Sequence, residues 1–139
     1  MTSPADSQNT PMRNLTVLVL DDEPTARDLL TRFLAAHGYQ STEAGTMSEA
    51  IDVMRTTHIG AVILDVRLPG DGSGLDVLQR LREQPELRSI PAIILTGGVL
   101  TEDEERMVAR HRAHLFYKPE GFDSLVGFLE QLTGHDQPH

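Results

Sequence analysis

Apolar positions along the chain alternate between two rhythms. The short runs LTVLVL (15–20), GAVILD (60–65) and IPAIILTGG (90–98) are apolar almost throughout. Such runs read as strands covered on both faces. YQSTEA (39–44) is more polar and reads as a strand nearer the sheet edge, and HLFYK (114–118) as a further short strand.

Between these runs the spacing becomes helical. PTARDLLTRFLAAHG (24–38) has a proline in its first turn, apolar Leu29, Leu30, Phe33 and Leu34, and a closing Gly38. TMSEAIDVMRTT (46–57) pairs Thr46 with Glu49 in the pattern of a capping box, with Ala50, Ile51, Val53 and Met54 on its apolar face. SGLDVLQRLREQ (73–84) repeats the box with Ser73 and Asp76 and turns Leu75, Leu78 and Leu81 inward. TEDEERMVARHR (101–112) has a third box, Thr101 and Glu104. FDSLVGFLEQL (122–132) sets Phe122, Leu125, Val126, Leu129 and Leu132 on one side.

Strand and helix alternate five times with short connections. That order predicts parallel strands joined by right-handed crossovers, hence an open three-layer α/β domain. Residues 15–133 form the expected domain, and polar residues 1–14 and 134–139 read as flexible tails. No internal repeat or second domain is visible.

Composition narrows the classes. A chain of 139 residues can bury a core of its own, and without cysteine it has neither a disulfide framework nor a thiolate metal site. No run is long enough to span a membrane, and the N-terminal segment lacks the apolar centre of a signal peptide. A formal charge of −9, with 12 basic residues against 21 acidic, argues against gripping nucleic acid by its phosphates. The expectation is a cytoplasmic protein with no direct nucleic-acid or membrane partner.

In open α/β folds, ligands sit beyond the carboxyl ends of the strands. Those ends carry Asp21, Asp22 and Glu23 after the first strand, Asp65 after the third, Thr96 with Gly97 and Gly98 after the fourth, and Lys118 with Pro119 after the fifth. Carboxylates crowded in a small site need a compensating cation. Magnesium suits them, because it takes few protein carboxylates and keeps waters that a phosphate can replace. A lysine ammonium and a threonine hydroxyl can hold phosphoryl oxygens, and a carboxylate can be the nucleophile toward phosphorus.

These residues, in VLVLDDEPTARD, AVILDVRLPG, IPAIILTGG and YKPE, in that order, resemble the receiver domain of two-component response regulators. The resemblance covers roughly Leu15 to Leu132. It implies a flavodoxin-like (βα)5 fold, with a five-stranded parallel sheet in strand order 2-1-3-4-5 and helices on both faces. It implies phosphoryl transfer from a histidine kinase or histidine phosphotransfer protein onto Asp65, with a downstream protein target. By the same resemblance Asp22 and Asp65 bind Mg2+ directly, Asp21 mainly through water, and the main-chain carbonyl of Arg67 is a further ligand. Lys118 pairs with the phosphate, and Thr96 moves toward it. The surface of the first helix and the loops near the site are the implied docking area. The resemblance implies no enzyme beyond the chain's own phosphoryl transfer and autodephosphorylation. It leaves open whether phosphorylation drives dimerisation.

The chain departs from the family pattern in two places. Asp65, Pro69 and Gly74 are spaced as if one residue were inserted in the loop. Leu115 stands three residues before Lys118, where the family usually has an aromatic ring or histidine that rotates with the threonine. By period-two alternation Phe116 faces the opposite side of the sheet and Tyr117 the same side as Leu115. Altered coupling to the face formed by the fourth helix, fifth strand and fifth helix is therefore expected. Arg67 and Gly98 occupy the positions that, in the family, line the path of the hydrolytic water.

Simpler readings exist for each residue. Asp21 and Asp22 fit a helix N-cap pair before Pro24. Thr96 fits an ordinary strand-end hydroxyl and Lys118 a surface lysine. Gly70, Gly72 and Gly74 give G-x-G-x-G with no Walker lysine, so turn geometry accounts for them better than a nucleotide loop. His111 and His114 fit a solvated basic patch on one helical face better than a zinc site. Three functions follow: a phosphorylatable receiver without an output domain, a pseudo-receiver interaction module supported by Leu115, and a small hydrolase or nucleotide binder, for which neither a second acid nor a phosphate loop is evident. The Met1 start favours a stand-alone regulator over an excised receiver.

Overall fold

The computed structural model of the protein describes residues 16–66, 73–117 and 121–133. The elements run β1 (Thr16–Leu20), α1 (Pro24–Ala36), β2 (Gln40–Ala44), α2 (Met47–Thr56), β3 (Ala61–Leu64), α3 (Gly74–Glu83), β4 (Ala92–Thr96), α4 (Glu102–Arg110), β5 (His114–Tyr117) and α5 (Gly121–Thr133). All strand pairs are parallel, and the sheet order is β2-β1-β3-β4-β5. This is the order the family resemblance implied.

The continuous apolar runs became the three central strands. Every residue of β3 and β4 is buried, and of β1 all but Thr16. Alternation divides them between two cores. Val17, Val19, Ala61, Ile63, Ile93 and Leu95 pack with Leu30 and Leu34 of α1 and Leu125 and Leu129 of α5. On the other face, Leu18, Leu20, Val62, Leu64 and Ile94 pack with α2, α3 and Val108 of α4. The polar run 40–44 is an edge strand, as its composition predicts, and β5 is the other edge. Phe122 and Leu132 of the predicted α5 stripe lie outside the described side chains.

Two of the three capping boxes close. Ser73 Oγ accepts from the Asp76 amide at 3.4 Å while Asp76 accepts from the Ser73 amide at 3.0 Å. Thr101 and Glu104 exchange the same bonds at 3.1 and 2.8 Å. The third is half a box. Thr46 Oγ1 accepts from the Glu49 amide, but Glu49 reaches past Thr46 to accept from the Gly45 amide at 2.7 Å. That bond belongs to the turn before the helix, which is tighter than the sequence pattern implies.

Helices α1 and α4 end in the same way. At α1 the Gly38 amide donates to Ala35 O and the Tyr39 amide to Leu34 O. At α4 the Arg112 amide donates to Ala109 O and the Ala113 amide to Val108 O. Both are Schellman motifs, which place one residue in the left-handed region. That residue is Gly38 (φ 88°) in the first case and Arg112 (φ 59°) in the second.

Candidate functional site

The sheet ladder carries past the strand ends and sets the acidic residues. The Asp21 amide donates to Ala44 O at 3.2 Å, and the Asp65 amide donates to Leu20 O at 2.9 Å. The backbones of Asp21 and Asp65 are thereby fixed to neighbouring strands before any side-chain interaction. Carboxylate oxygens of Asp21, Asp22 and Asp65 come within 4.8 Å of one another. Asp21 is buried, Asp65 half-buried and Asp22 exposed, so the cluster opens to solvent on one side.

Asp21 also turns the chain. Its Oδ1 accepts from the Glu23 amide at 3.0 Å. The N-cap of α1 is Glu23, which makes no side-chain cap, and Pro24 follows. The reading of Asp21 and Asp22 as an N-cap pair therefore fails, because both stand before the cap position. With Pro24 contributing no amide hydrogen, the helix start asks less of a capping oxygen.

Two residues hold the site in place in ways the sequence patterns did not point to. Arg27 of α1 donates from Nη1 to the carbonyl of Asp21 at 2.7 Å and from Nε to Glu43 of β2 at 3.1 Å. Gly74, which its spacing assigns to turn geometry, is a close-approach residue. A Cβ there would stand 2.1 Å from the carbonyl oxygen of Asp65 and 3.2 Å from the Leu64 Cβ. The Gly74 amide donates to Val66 O at 3.3 Å, so the start of α3 sits against the residue after Asp65.

Thr96 ends β4 in a buried position, and its hydroxyl accepts from the Gly98 amide at 3.2 Å. A side chain at Gly97 or Gly98 would meet nothing within 4 Å, so this flank is open. On β5, Leu115 packs into the core shared with α4, while Phe116 packs against the core of α1 and α5. The alternation expected for these two residues is realised. Tyr117 is 45% exposed. Arg67, Pro69, Gly70, Gly72, Lys118 and Pro119, like both tails, lie outside the described residues.

His111 and His114 do not share a helical face. His111 caps the end of α4, whereas His114 opens β5 and packs its ring against Phe128, tilted at 46° with ring centroids 4.1 Å apart. The Schellman turn between them redirects the chain.

Three carboxylates at adjacent strand ends, open to water, form a hard oxygen-donor set. In octahedral magnesium coordination, oxygens on opposite sides of the ion lie about 4.2 Å apart, twice the metal–oxygen distance. The three carboxylates lie within 4.8 Å of one another, a little beyond that span, which suits a set in which one carboxylate reaches the ion through water. A family model, the response regulator receiver domain, matches residues 17–130. The chain belongs to that family. A probable transcriptional regulatory protein, TcrX of Mycobacterium tuberculosis, is 43% identical over 89 residues, which are 64% of this chain and 37% of TcrX. The chain therefore spans little more than a third of that relative. The polar-differentiation response regulator DivK of Brucella ovis is 33% identical over 91 residues, 66% of this chain and 73% of DivK. Among solved structures, the signal receiver domain of a histidine kinase from Syntrophus aciditrophicus superposes with TM-score 0.77 at 26% identity, covering 89% of this chain and 93% of that one.

Receiver domains are signalling modules of two-component systems, and they bind Mg2+ at an acidic pocket. Asp21, Asp22 and Asp65 form an acidic cluster here. Among the described residues, no helix is long and apolar enough to cross a membrane.

Proposed function

We propose that this receiver takes a phosphoryl group onto the carboxylate of Asp65 from a phosphohistidine of a histidine kinase or histidine phosphotransfer protein. The observation that carries this reading is the clustering of the Asp21, Asp22 and Asp65 carboxylates at the ends of β1 and β3. An Asp65 oxygen forms the new bond to phosphorus as the phosphorus–nitrogen bond breaks, and the imidazole leaves with the bonding pair. Mg2+, when bound, offsets charge on the transferring group. Asp22, Asp65 and the Arg67 carbonyl would hold the ion directly and Asp21 through water. Lys118 would pair with the phosphoryl oxygens, and Thr96 would leave its bond to the Gly98 amide to meet them. Residues 15–133 act as the receiver. The signal passes to a downstream protein in the cytoplasm through a change of conformation.

Leu115 favours a second reading of the output. It offers no hydrogen-bonding group and lies in the apolar core beside α4. Coupling of Asp65 to the α4–β5–α5 face is thereby weakened, and the chain leans toward an interaction module.

The experiment is incubation with acetyl phosphate and Mg2+, read by intact mass. The expected product gains one phosphoryl group, needs Mg2+ and is lost in Asp65→Ala. A gain that persists in Asp65→Ala, or none with any small phosphodonor, would rule the first reading out.

A further inference from the structure

At the opposite end of the sheet from the acidic cluster, an open depression of about 500 Å³ lies between the α3–β4 connection, the start of β5 and α5. Arg82, Arg88, Arg112 and His114 line it, with Pro91 and Phe128. In a chain of net charge −9, this corner gathers positive charge, since Arg110 also acts on the adjacent His111. Among the described residues no ion pair joins Arg82, Arg88 or Arg112 to a carboxylate. Among the described residues, Glu83 is the one acid that acts on His111.

The arginines are fixed to main chain instead. Arg82 donates from Nε to His111 O at 2.7 Å and from Nη1 to Arg88 O and Ile90 O at 3.0 and 2.6 Å. Arg112 Nη2 approaches the same Arg88 carbonyl at 3.5 Å. Two guanidinium groups thus converge on one oxygen. Burial and the Arg112 charge both lower the Arg82 pKa, so the cluster repels itself with no ion pair to relieve it. The backbone is unusual at the same corner. At α1 the left-handed position of the Schellman turn is Gly38, which takes that conformation freely, whereas α4 holds Arg112 there at a conformational cost. An outlier of this kind points toward function when the local rule is broken without local gain.

We propose that this depression is a binding site for a small phosphate-bearing anion, held by Arg88 and Arg112 over a floor fixed by Arg82. Guanidinium groups match phosphate oxygens with paired donors. Pro91 and the tilted ring pair of His114 and Phe128 supply an apolar wall that shields those bonds. A free diphosphate would use the arginines alone. A nucleoside diphosphate would also lay its base on the aromatic wall.

The test is titration of the isotopically labelled full chain with inorganic pyrophosphate and, separately, with ADP, in magnesium-free buffer. Arginine side-chain and His114 ring resonances are followed. Saturable shifts of Arg88, Arg112 and His114 are expected with pyrophosphate. Equal affinity for ADP assigns the site to the diphosphate, and tighter binding of ADP adds the wall. The variant Arg112→Gly suits the turn, so it should melt at or above the parent temperature while affinity falls about tenfold or more. Arg88→Gln should weaken binding without changing the fold. Acetyl phosphate labelling at Asp65 serves as a separate readout, unaffected by either variant. No saturable shift at about 10 mM pyrophosphate, a bound far weaker than one well-made charged site, or equal binding by parent and Arg112→Gly, overturns the proposal.

Discussion

Arg27 Nη1 donates to the carbonyl oxygen of Asp21 at 2.7 Å. The same guanidinium holds Glu43 through Nε, so one side chain of α1 clamps the end of β1 to the end of β2. The surface pair with Glu43 is worth at most about 1 kcal/mol. The bond to the carbonyl stabilises more, because a charged donor to a partly buried acceptor contributes about 1.5–3 kcal/mol. Arg27→Ala should therefore lower unfolding stability by about 1–3 kcal/mol and weaken Mg2+ affinity roughly tenfold, the scale seen when a partner of a ligating group is lost. Denaturant unfolding and an NMR-monitored Mg2+ titration measure the two effects. A Cβ at Gly45 would stand 2.8 Å from Arg27 Nη1, so Gly45→Ala should shift the same readouts in the same direction, by less. Loss of stability with unchanged Mg2+ affinity would make Arg27 a purely structural clamp.

Gly74 against Asp65 gives a sharper test. The atom that an alanine methyl would strike is main-chain oxygen at 2.1 Å, which cannot swing aside as a side chain can. Overpacking of this kind costs about 1–3 kcal/mol. Gly74→Ala should lose that much stability and should slow acetyl phosphate labelling, because the backbone of Asp65 is displaced. An unfolding midpoint equal to the parent's would mean that the loop yields without moving Asp65.

What was legible in the sequence was whatever depends on neighbours along the chain. The apolar runs to Leu20 and Leu64 stop where β1 and β3 stop, so the run to Leu64 alone located Asp65 at a strand end. Period-two alternation placed Leu115 and Phe116 on opposite cores. Arg27 and Gly74 escaped because their roles depend on where a distant segment comes to rest: Glu43 lies 16 residues beyond Arg27. An arginine on an amphipathic helix and a glycine in a glycine-rich loop each have an ordinary local explanation, and nothing local contradicts it. Glu49 and His114 illustrate the limit from the other side. Their spacing matched a capping box and a helical face, but Glu49 accepts from Gly45, one residue before the cap, and His114 lies beyond the end of α4, at the start of β5.

Leu115 makes a prediction about signal spread. It fills the apolar core beside α4, and Tyr117, on the same side of β5, is exposed. Beryllofluoride with Mg2+ should shift amides around Asp65 and Thr96 strongly and those of α4 and α5 weakly. Leu115→Tyr should enlarge the shifts on α4 and β5. Shifts on α4 of the parent protein as large as those beside Asp65 would remove the case for weakened coupling.

His111 ties stability to pH at the basic corner. Its pKa lies below the ordinary 6.5, first because burial disfavours the imidazolium and then because Arg110, Arg82 and Arg112 repel it, with Glu83 opposing. In the unfolded chain these constraints are gone, so the unfolded state takes up the proton more readily as pH falls. Stability linked to His111 is therefore fully present above about pH 6.5 and is lost as pH falls below it. His111→Gln, which cannot protonate, removes the dependence. Urea midpoints of parent and variant should keep a constant separation above neutrality, and the parent should drop faster between about pH 6.5 and pH 5. The effect is modest, because the ring is partly exposed and solvent screens the neighbouring charges. A parent that instead gained stability relative to His111→Gln on acidification would mean that Glu83 outweighs the three arginines, and the corner would be less positive than its residues imply.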